Sequence, residues 1–267
     1  MDEQNNLGKH NLKKDLLAIL KKRAVVLGAM AALIIGCMLY APHSISANTK
    51  VGDRELPIYC VDTEEKKVAL SFDGAWGNED TAELLKILDE HNVKVTFFFT
   101  GEWMKKYPED VKTIHEAGHD IANHSENHKN MSKLSSSEIE AELSKPHETI
   151  KELLGIEMNL FRPPYGDYDN EVITTATSCG YYTVQWSVDS LDWKDYGTDS
   201  IIKTVLNHKN LDNGAIILMH NGAKYTKEAL PKIIEGLKEQ GYELVPISEL
   251  IHTGDFHMDH TGKQYAD

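Results

Sequence analysis

Residues 68–99, VALSFDGAWGNEDTAELLKILDEHNVKVTFFF, contain one complete unit of the fold. The two ends, VALSF and VKVTFFF, are short apolar runs rich in β-branched and aromatic residues. TAELLKILDEHN, between them, repeats its apolar positions at three- and four-residue spacing. A strand, a helix and a second strand follow in that order. Downstream, DIAN, NLFR, YTVQWSV, AIILM and YELVPI read as five more strands. SSSEIEAELSKPHETIKELLG, SIIKTVLNHKN and KEALPKIIEGLKEQG read as amphipathic helices between them. Such alternation predicts an α/β fold of parallel strands and crossover helices. Seven units fit a (β/α) barrel smaller than the eight-stranded form, and an open doubly wound sheet has the same pattern. Either arrangement collects reacting groups at the carboxyl ends of the strands.

Charge and hydropathy divide the rest of the 267-residue chain. The net charge is −14, yet the first 23 residues carry six Lys or Arg against three Asp or Glu, which leaves about −17 for the remainder. An anionic body repels phosphate polymers, so no nucleic acid is expected as a partner, whereas a neutral glycan meets no such barrier. Residues 24–41, AVVLGAMAALIIGCMLYA, are free of charge and follow Lys21, Lys22 and Arg23. They predict a transmembrane or signal-anchor helix with a cytoplasmic basic tail (1–23) and everything after it outside. The expected product is a single-pass protein of the cell membrane, although Ser44 to Asn48 also offer small residues for signal cleavage. A linker (42–56), a catalytic domain (57–252) and a mobile tail (253–267) complete the expected layout. The tail is read as mobile because DFHMDHTGKQYAD shows no apolar period. Cys60 and Cys179 read as isolated thiols without metal-site spacing.

Five polar constellations fall at strand ends. Asp73 ends VALSF and is placed to act as a base, or to cap a turn. His124 and His128 stand four apart, a spacing that on a helical turn lets both reach one divalent metal, with Ser125 bracing the loop. Arg162-Pro163-Pro164-Tyr165-Gly166 gives a stiff strand exit that holds the Tyr165 N–H toward a developing oxyanion. Asp189 and Asp192, with Trp193, follow YTVQWSV, and His220 ends AIILM after Leu218.

Together and in this order, the five resemble the motifs of the polysaccharide deacetylases of carbohydrate esterase family four, the NodB-homology domain. The resemblance covers residues 57–252. It implies a distorted seven-stranded barrel that hydrolyses N-acetyl groups of amino sugars in chitin-like glycans or peptidoglycan. It makes Asp73 the general base, Arg162 the residue that holds it and Tyr165 the oxyanion donor through its N–H. His220 becomes the acid for the leaving amine and Asp192 its tuning partner, while Trp193 and Leu218 line the pocket for the acetyl methyl. His124 and His128 become ligands of a divalent metal, zinc first, with cobalt or manganese as alternatives.

One position departs from the pattern: Gly74 stands where the family has a second aspartate on the metal. Asp80, or Glu79 in its stead, either turns inward as the replacement ligand of a weakly held ion or is an ordinary first-turn acid of the next helix. Residues 54–81, RELPIYCVDTEEKKVALSFDGAWGNEDT, also resemble the membrane-bound, sporulation-associated subgroup. The expected partners are an acetylated glycan and the membrane. Two other readings are a non-catalytic glycan-binding sporulation protein that keeps the groove, and an amidase acting on a small cyclic or linear amide.

Overall fold

A computed structural model describes residues 49–267. The predicted membrane segment 24–41 lies outside them, and no helix among the described residues is long and apolar enough to cross a membrane.

An antiparallel hairpin, β1 (Lys50–Val51) and β2 (Arg54–Glu55), precedes the short strand β3 (Cys60–Val61). Alternation then begins with β4 (Lys67–Gly74), α1 (Thr81–Glu90), β5 (Thr96–Phe99), α2 (Gly101–Lys106), α3 (Pro108–Glu116) and β6 (Asp120–Asn123). It continues through α4 (Ser136–Leu154), β7 (Leu160–Phe161), α5 (Asn170–Ser178), β8 (Tyr182–Thr183), β9 (Val188–Asp189) and α6 (Thr198–Leu206). The last units are β10 (Ile216–His220), α7 (Thr226–Glu239), β11 (Glu243–Leu244), α8 (Ile247–Leu250), β12 (Phe256–Met258) and β13 (Lys263–Ala266).

All seven predicted runs are strands, and they pair in parallel in the order β8-β7-β6-β5-β4-β10-β9, with β11 beside β4. β8 and β9 are the two ends of the single run YTVQWSV, which leaves β7 at Thr183 and reaches β10 at Val188. Ile58 fills the gap, donating its N–H to Thr183 O (2.8 Å) and accepting from Gln185 N–H (2.7 Å). The sheet is therefore a half-barrel of parallel strands in which one run is interrupted.

Buried faces explain the continuous apolar character of these strands. Alternation along β4 turns Leu70 and Phe72 toward the helices, where they pack with Leu84, Leu88, Ile233 and Phe97. Ala69 faces inward with Phe98, Ala122 and Ile216. By the same two-residue period Ser71 and Asp73 face inward, opposite Leu218 and His220 of β10 in register. The barrel interior thus delivers Asp73 and His220 to one mouth.

Three expectations need correction. Residues 253–267 are not an undocked tail: β12 and β13 form a hairpin, β13 runs parallel to β3, and Phe256, Met258 and Gln264 are buried. The linker already carries the β1–β2 hairpin, and Leu56 is buried. Helices α2, α3, α5 and the short α8 are additional to the predicted ones. Where the helical pattern was read, local chemistry agrees: α4 starts with a capping box, Ser135 N–H donating to Glu138 Oε2 (2.9 Å), and stops at Gly155 with φ 73°. Cys60 and Cys179 are free thiols.

Candidate active site

Arg162, fully buried just after β7, organises the floor of the mouth. Its Nη1 donates to Asp73 Oδ1 (2.7 Å) and its Nη2 to Ser71 Oγ (2.9 Å) and Gln185 O (3.1 Å). The guanidinium carbon lies 4.1 Å from the centre of the Phe98 ring, so the cation is held by a carboxylate, a hydroxyl, a carbonyl and an aromatic face. Burial alone would raise the Asp73 pKa, but the charges of Arg162, then His124 and His220, outweigh it and hold the carboxyl below its ordinary range. Asp73 is an anion with Oδ2 turned toward His124 Nε2, 3.6 Å away.

His124 and His128 do converge, with ring centres 4.9 Å apart, but not on a helical turn. Residues 124–128 form an irregular loop in which Ser125 and His128 take left-handed φ of 66° and 53°. Side chains shape it: Asn123 Oδ1 accepts the Ser125 N–H, and Ser125 Oγ accepts the His128 N–H, which gives Ser125 the bracing part expected of it. His124 Nδ1 donates to Arg162 O (2.8 Å), which directs its Nε2 lone pair into the mouth. Burial pushes the His124 pKa down to about 4 and that of His128 in the same direction, so both rings are neutral at pH 7.

The opposite wall carries an imidazole biased the other way. His220 donates its Nδ1–H to Asp192 Oδ1 (2.7 Å) and its backbone N–H to Asp192 Oδ2 (2.7 Å), and Thr226 Oγ1 donates to the same Oδ2 (2.6 Å). Burial works to lower the His220 pKa, but the bond to Asp192 and that carboxylate's charge raise it above the ordinary 6.5. The stability this pair supplies is complete below 6.5 and is lost as pH rises through the higher folded value. Asp192→Asn removes the charge, so His220 will lose its proton at lower pH than in the wild type, as NMR titration of the imidazole will show. An unmoved titration would mean that Asp192 does not set the proton on His220.

Between these walls, Tyr165 sits in the left-handed region (φ 61°, ψ 7°). The turn around it is closed by Gly166 and Asp167, which donate to Pro163 O and Pro164 O, leaving the Tyr165 N–H outside those two bonds. Its ring lies 4.5 Å from that of His128. Leu218 is buried beside His220, while Trp193 is 52% exposed at the rim. Trp76, which sequence reasoning passed over, stacks on the His220 ring at 6.1 Å and meets the edge of His128 at 6.4 Å. Thr226 was also missed, since a threonine opening a helix carries no sequence signal of a buried carboxylate partner.

A known family model matches the part of this geometry that holds Asp73, His124, His128, Arg162 and Tyr165: the polysaccharide deacetylase model covers residues 61–184. PdaA, the peptidoglycan-N-acetylmuramic acid deacetylase of Bacillus subtilis (strain 168), is 35% identical over 201 residues, 72% of this chain and 74% of that protein. The chain belongs to the polysaccharide deacetylase family. YlxY, an uncharacterized protein of the same bacterium, is 38% identical over 195 residues, 73% of this chain but only 60% of YlxY. Wild-type BA3943 of Bacillus anthracis, described as a CE4 family pseudoenzyme, has a crystal structure that matches with a TM-score of 0.70 and 36% identity over 79% of this chain and 73% of that one.

Compared with the polysaccharide deacetylase pattern, the metal position is incomplete. Among the described residues no three His, Cys, Asp or Glu stand close enough to share an ion. Asp80 does not supply the missing ligand. It turns to the loop after β10, where its Oδ2 accepts the Gly222 N–H (2.8 Å), and burial raises its pKa. Its Oδ1 is buried without a partner. Glu79 is exposed and folds back over Gly77. The donor set ends at two imidazoles and does not fit the three protein ligands of a catalytic zinc site.

Gly74 itself is closed to a replacement. A Cβ there would run into Cδ1 and Cε1 of Phe99, although Gly74 is not among the glycines of positive φ. Phe99 is held against moving aside, being stacked on Trp103 with ring centres 3.8 Å apart, and the Trp103 indole N–H is bonded to Gly77 O. Gly74→Asp alone will therefore lower stability without tightening zinc binding, whereas Gly74→Asp with Phe99→Val will tighten it. Calorimetric titration with Zn²⁺, alongside urea unfolding, checks this. Tighter binding by the single variant would show that Phe99 is no obstacle.

Proposed function

We propose that this chain hydrolyses N-acetyl groups from amino sugars of an extracytoplasmic glycan, peptidoglycan before others. The observation that carries the reading is the pair of oppositely biased groups in register on β4 and β10: Asp73 held as an anion by Arg162, and His220 biased toward its protonated form by Asp192. An amide needs both, because water must lose a proton as it attacks and the amine must gain one as it leaves. Asp73 Oδ2 takes the proton of the attacking water, the Tyr165 N–H stabilises the oxyanion, and His220 protonates the departing nitrogen. Leu218 and Trp193 enclose the acetyl methyl. Acetate and a free amino sugar result.

A polymeric sugar is supported by the surface. The large hydrophobic side chains exposed among the described residues are Trp76, Tyr165, Trp193 and Tyr196, all in connections that leave carboxyl ends of strands. Such a collection marks a binding groove, and flat rings suit the apolar faces of sugars. The likeness to PdaA, a peptidoglycan-N-acetylmuramic acid deacetylase, favours peptidoglycan among the glycans. Deacetylases of this family are metal-dependent in general. Here zinc, or cobalt or manganese, would meet His124 and His128 alone and be held weakly.

We further place the domain outside the cytoplasm, on a single-pass anchor at 24–41, in a sporulation-associated protein whose distorted barrel takes up 57–252. The charge-free run, its basic flank and the resemblance over 54–81 support this. The Phe99 ring against Gly74 favours a second reading, in which the groove binds glycan with little turnover. Incubating the full chain with peptidoglycan and counting free amino sugars by mass spectrometry tests the proposal. New free amines support hydrolysis, and glycan bound but still fully acetylated supports the second reading.

A further inference from the structure

The turn that anchors His220 also presents a cation without a carboxylate partner. Asp192 to Lys194 is one 3-10 turn flanked by Leu191 and Asp195, both in the left-handed region with φ of 58° and 55°. Non-glycine residues hold that conformation only where the surroundings fix it. Here Asp192 fixes it, being fully buried and bonded to His220 and Thr226. The turn is thus rigid, and what it displays outward is a constant feature of the rim.

What it displays is Trp193, Lys194 and, two residues on, Tyr196. The rings are 52% and 65% exposed, and Lys194 Nζ lies 4.8 Å from the centre of the first and 5.9 Å from that of the second. Lys194 makes no ion pair among the described residues, although the chain has 42 acidic residues for 28 basic ones. Asp195, its neighbour, makes no ion pair with it and instead lies within electrostatic reach of Lys224 in the loop after β10. An ammonium held against aromatic faces keeps its charge and part of its donor capacity for an incoming anion.

We propose that Trp193, Lys194 and Tyr196 form a subsite for a sugar ring that bears a carboxylate, adjoining the sugar whose acetamido group reaches His220. Tyr196 takes the apolar face of that sugar, Trp193 stands between it and the acetyl pocket, and Lys194 takes the carboxylate. The chain would then select acidic amino-sugar polymers, in which carboxyl-bearing rings recur, over neutral ones. This rests on the glycan reading above, so its test uses binding rather than turnover.

The experiment titrates full chain in detergent with a peptidoglycan tetrasaccharide, the same tetrasaccharide with its carboxylates methyl-esterified, and a neutral chitotetraose. Wild type is expected to bind the free acid roughly tenfold more tightly than the ester, the contribution of about one charge-assisted hydrogen bond, and the preference should shrink with added salt. Lys194→Gln should bring the acid down to the affinity of the ester. Tyr196→Ala should weaken all three ligands. Equal binding of acid and ester by wild type, or a preference that survives in Lys194→Gln, overturns the subsite and leaves the glycan reading standing. Binding of none of the three by folded wild type overturns both.

Discussion

Asp73→Asn is expected to reduce acetate release by about 100- to 10,000-fold, the range a general base contributes. The amide oxygen of asparagine can still accept the hydrogen bond from Arg162 Nη1, so the floor of the mouth keeps its shape. What goes is the anion that takes the proton from water. The buried guanidinium also loses its counter-charge, so unfolding must be measured on the same sample to separate lost chemistry from lost fold. A folded Asp73→Asn protein with wild-type turnover would remove Asp73 from the reaction.

Arg162→Met should destabilise the domain by about 3–5 kcal/mol, the usual consequence of taking one partner from a buried ion pair. That is a large part of the 5–15 kcal/mol typical of a whole domain. Three hydrogen bonds disappear with the guanidinium, and Asp73, 7% exposed, is left among buried groups. Burial then raises the Asp73 pKa against only His124 and His220, so the acid limb of any remaining activity moves to higher pH. In the wild type the depressed carboxyl adds stability above its unfolded value of 3.8, which is lost as pH falls through the folded value. Urea unfolding of the single variants and of Arg162→Met with Asp73→Asn checks the assignment, because coupled partners give a double variant less damaged than the sum of its parts. Strict additivity would show that the two residues do not act as a pair.

The strand-helix period was legible because the central strands of the parallel sheet are buried on both faces, so each appears as an apolar run. The site was legible for a related reason: polar residues that interrupt such runs at their carboxyl ends, Asp73, Arg162 and His220 among them, have no place in a core unless they work there. What was lost depended on contacts between distant segments. Nothing in the run Phe97-Phe98-Phe99 says that the third ring closes the space above Gly74. Asp80 opens a helix in sequence, but folding brings Gly222 to its carboxylate. The imidazole pair was found by its spacing, yet its geometry comes from Asn123 and Ser125 and not from a helical turn. The C-terminal hairpin did leave a trace in the alternation Phe256-His257-Met258 before the turn at Asp259 to Gly262, too short to register as a period.

Acetate release by the folded full chain is the most direct measurement. It should be followed on peptidoglycan, chitooligosaccharides and an acetylated exopolysaccharide, with and without added Zn²⁺, Co²⁺ or Mn²⁺. The expected result is acetate from peptidoglycan, slow because the metal position has two protein ligands, increased by added metal and cut by at least about 100-fold in Asp73→Asn. Folded protein that binds these glycans but frees no acetate from any of them, at any metal concentration, would contradict the assignment as a deacetylase.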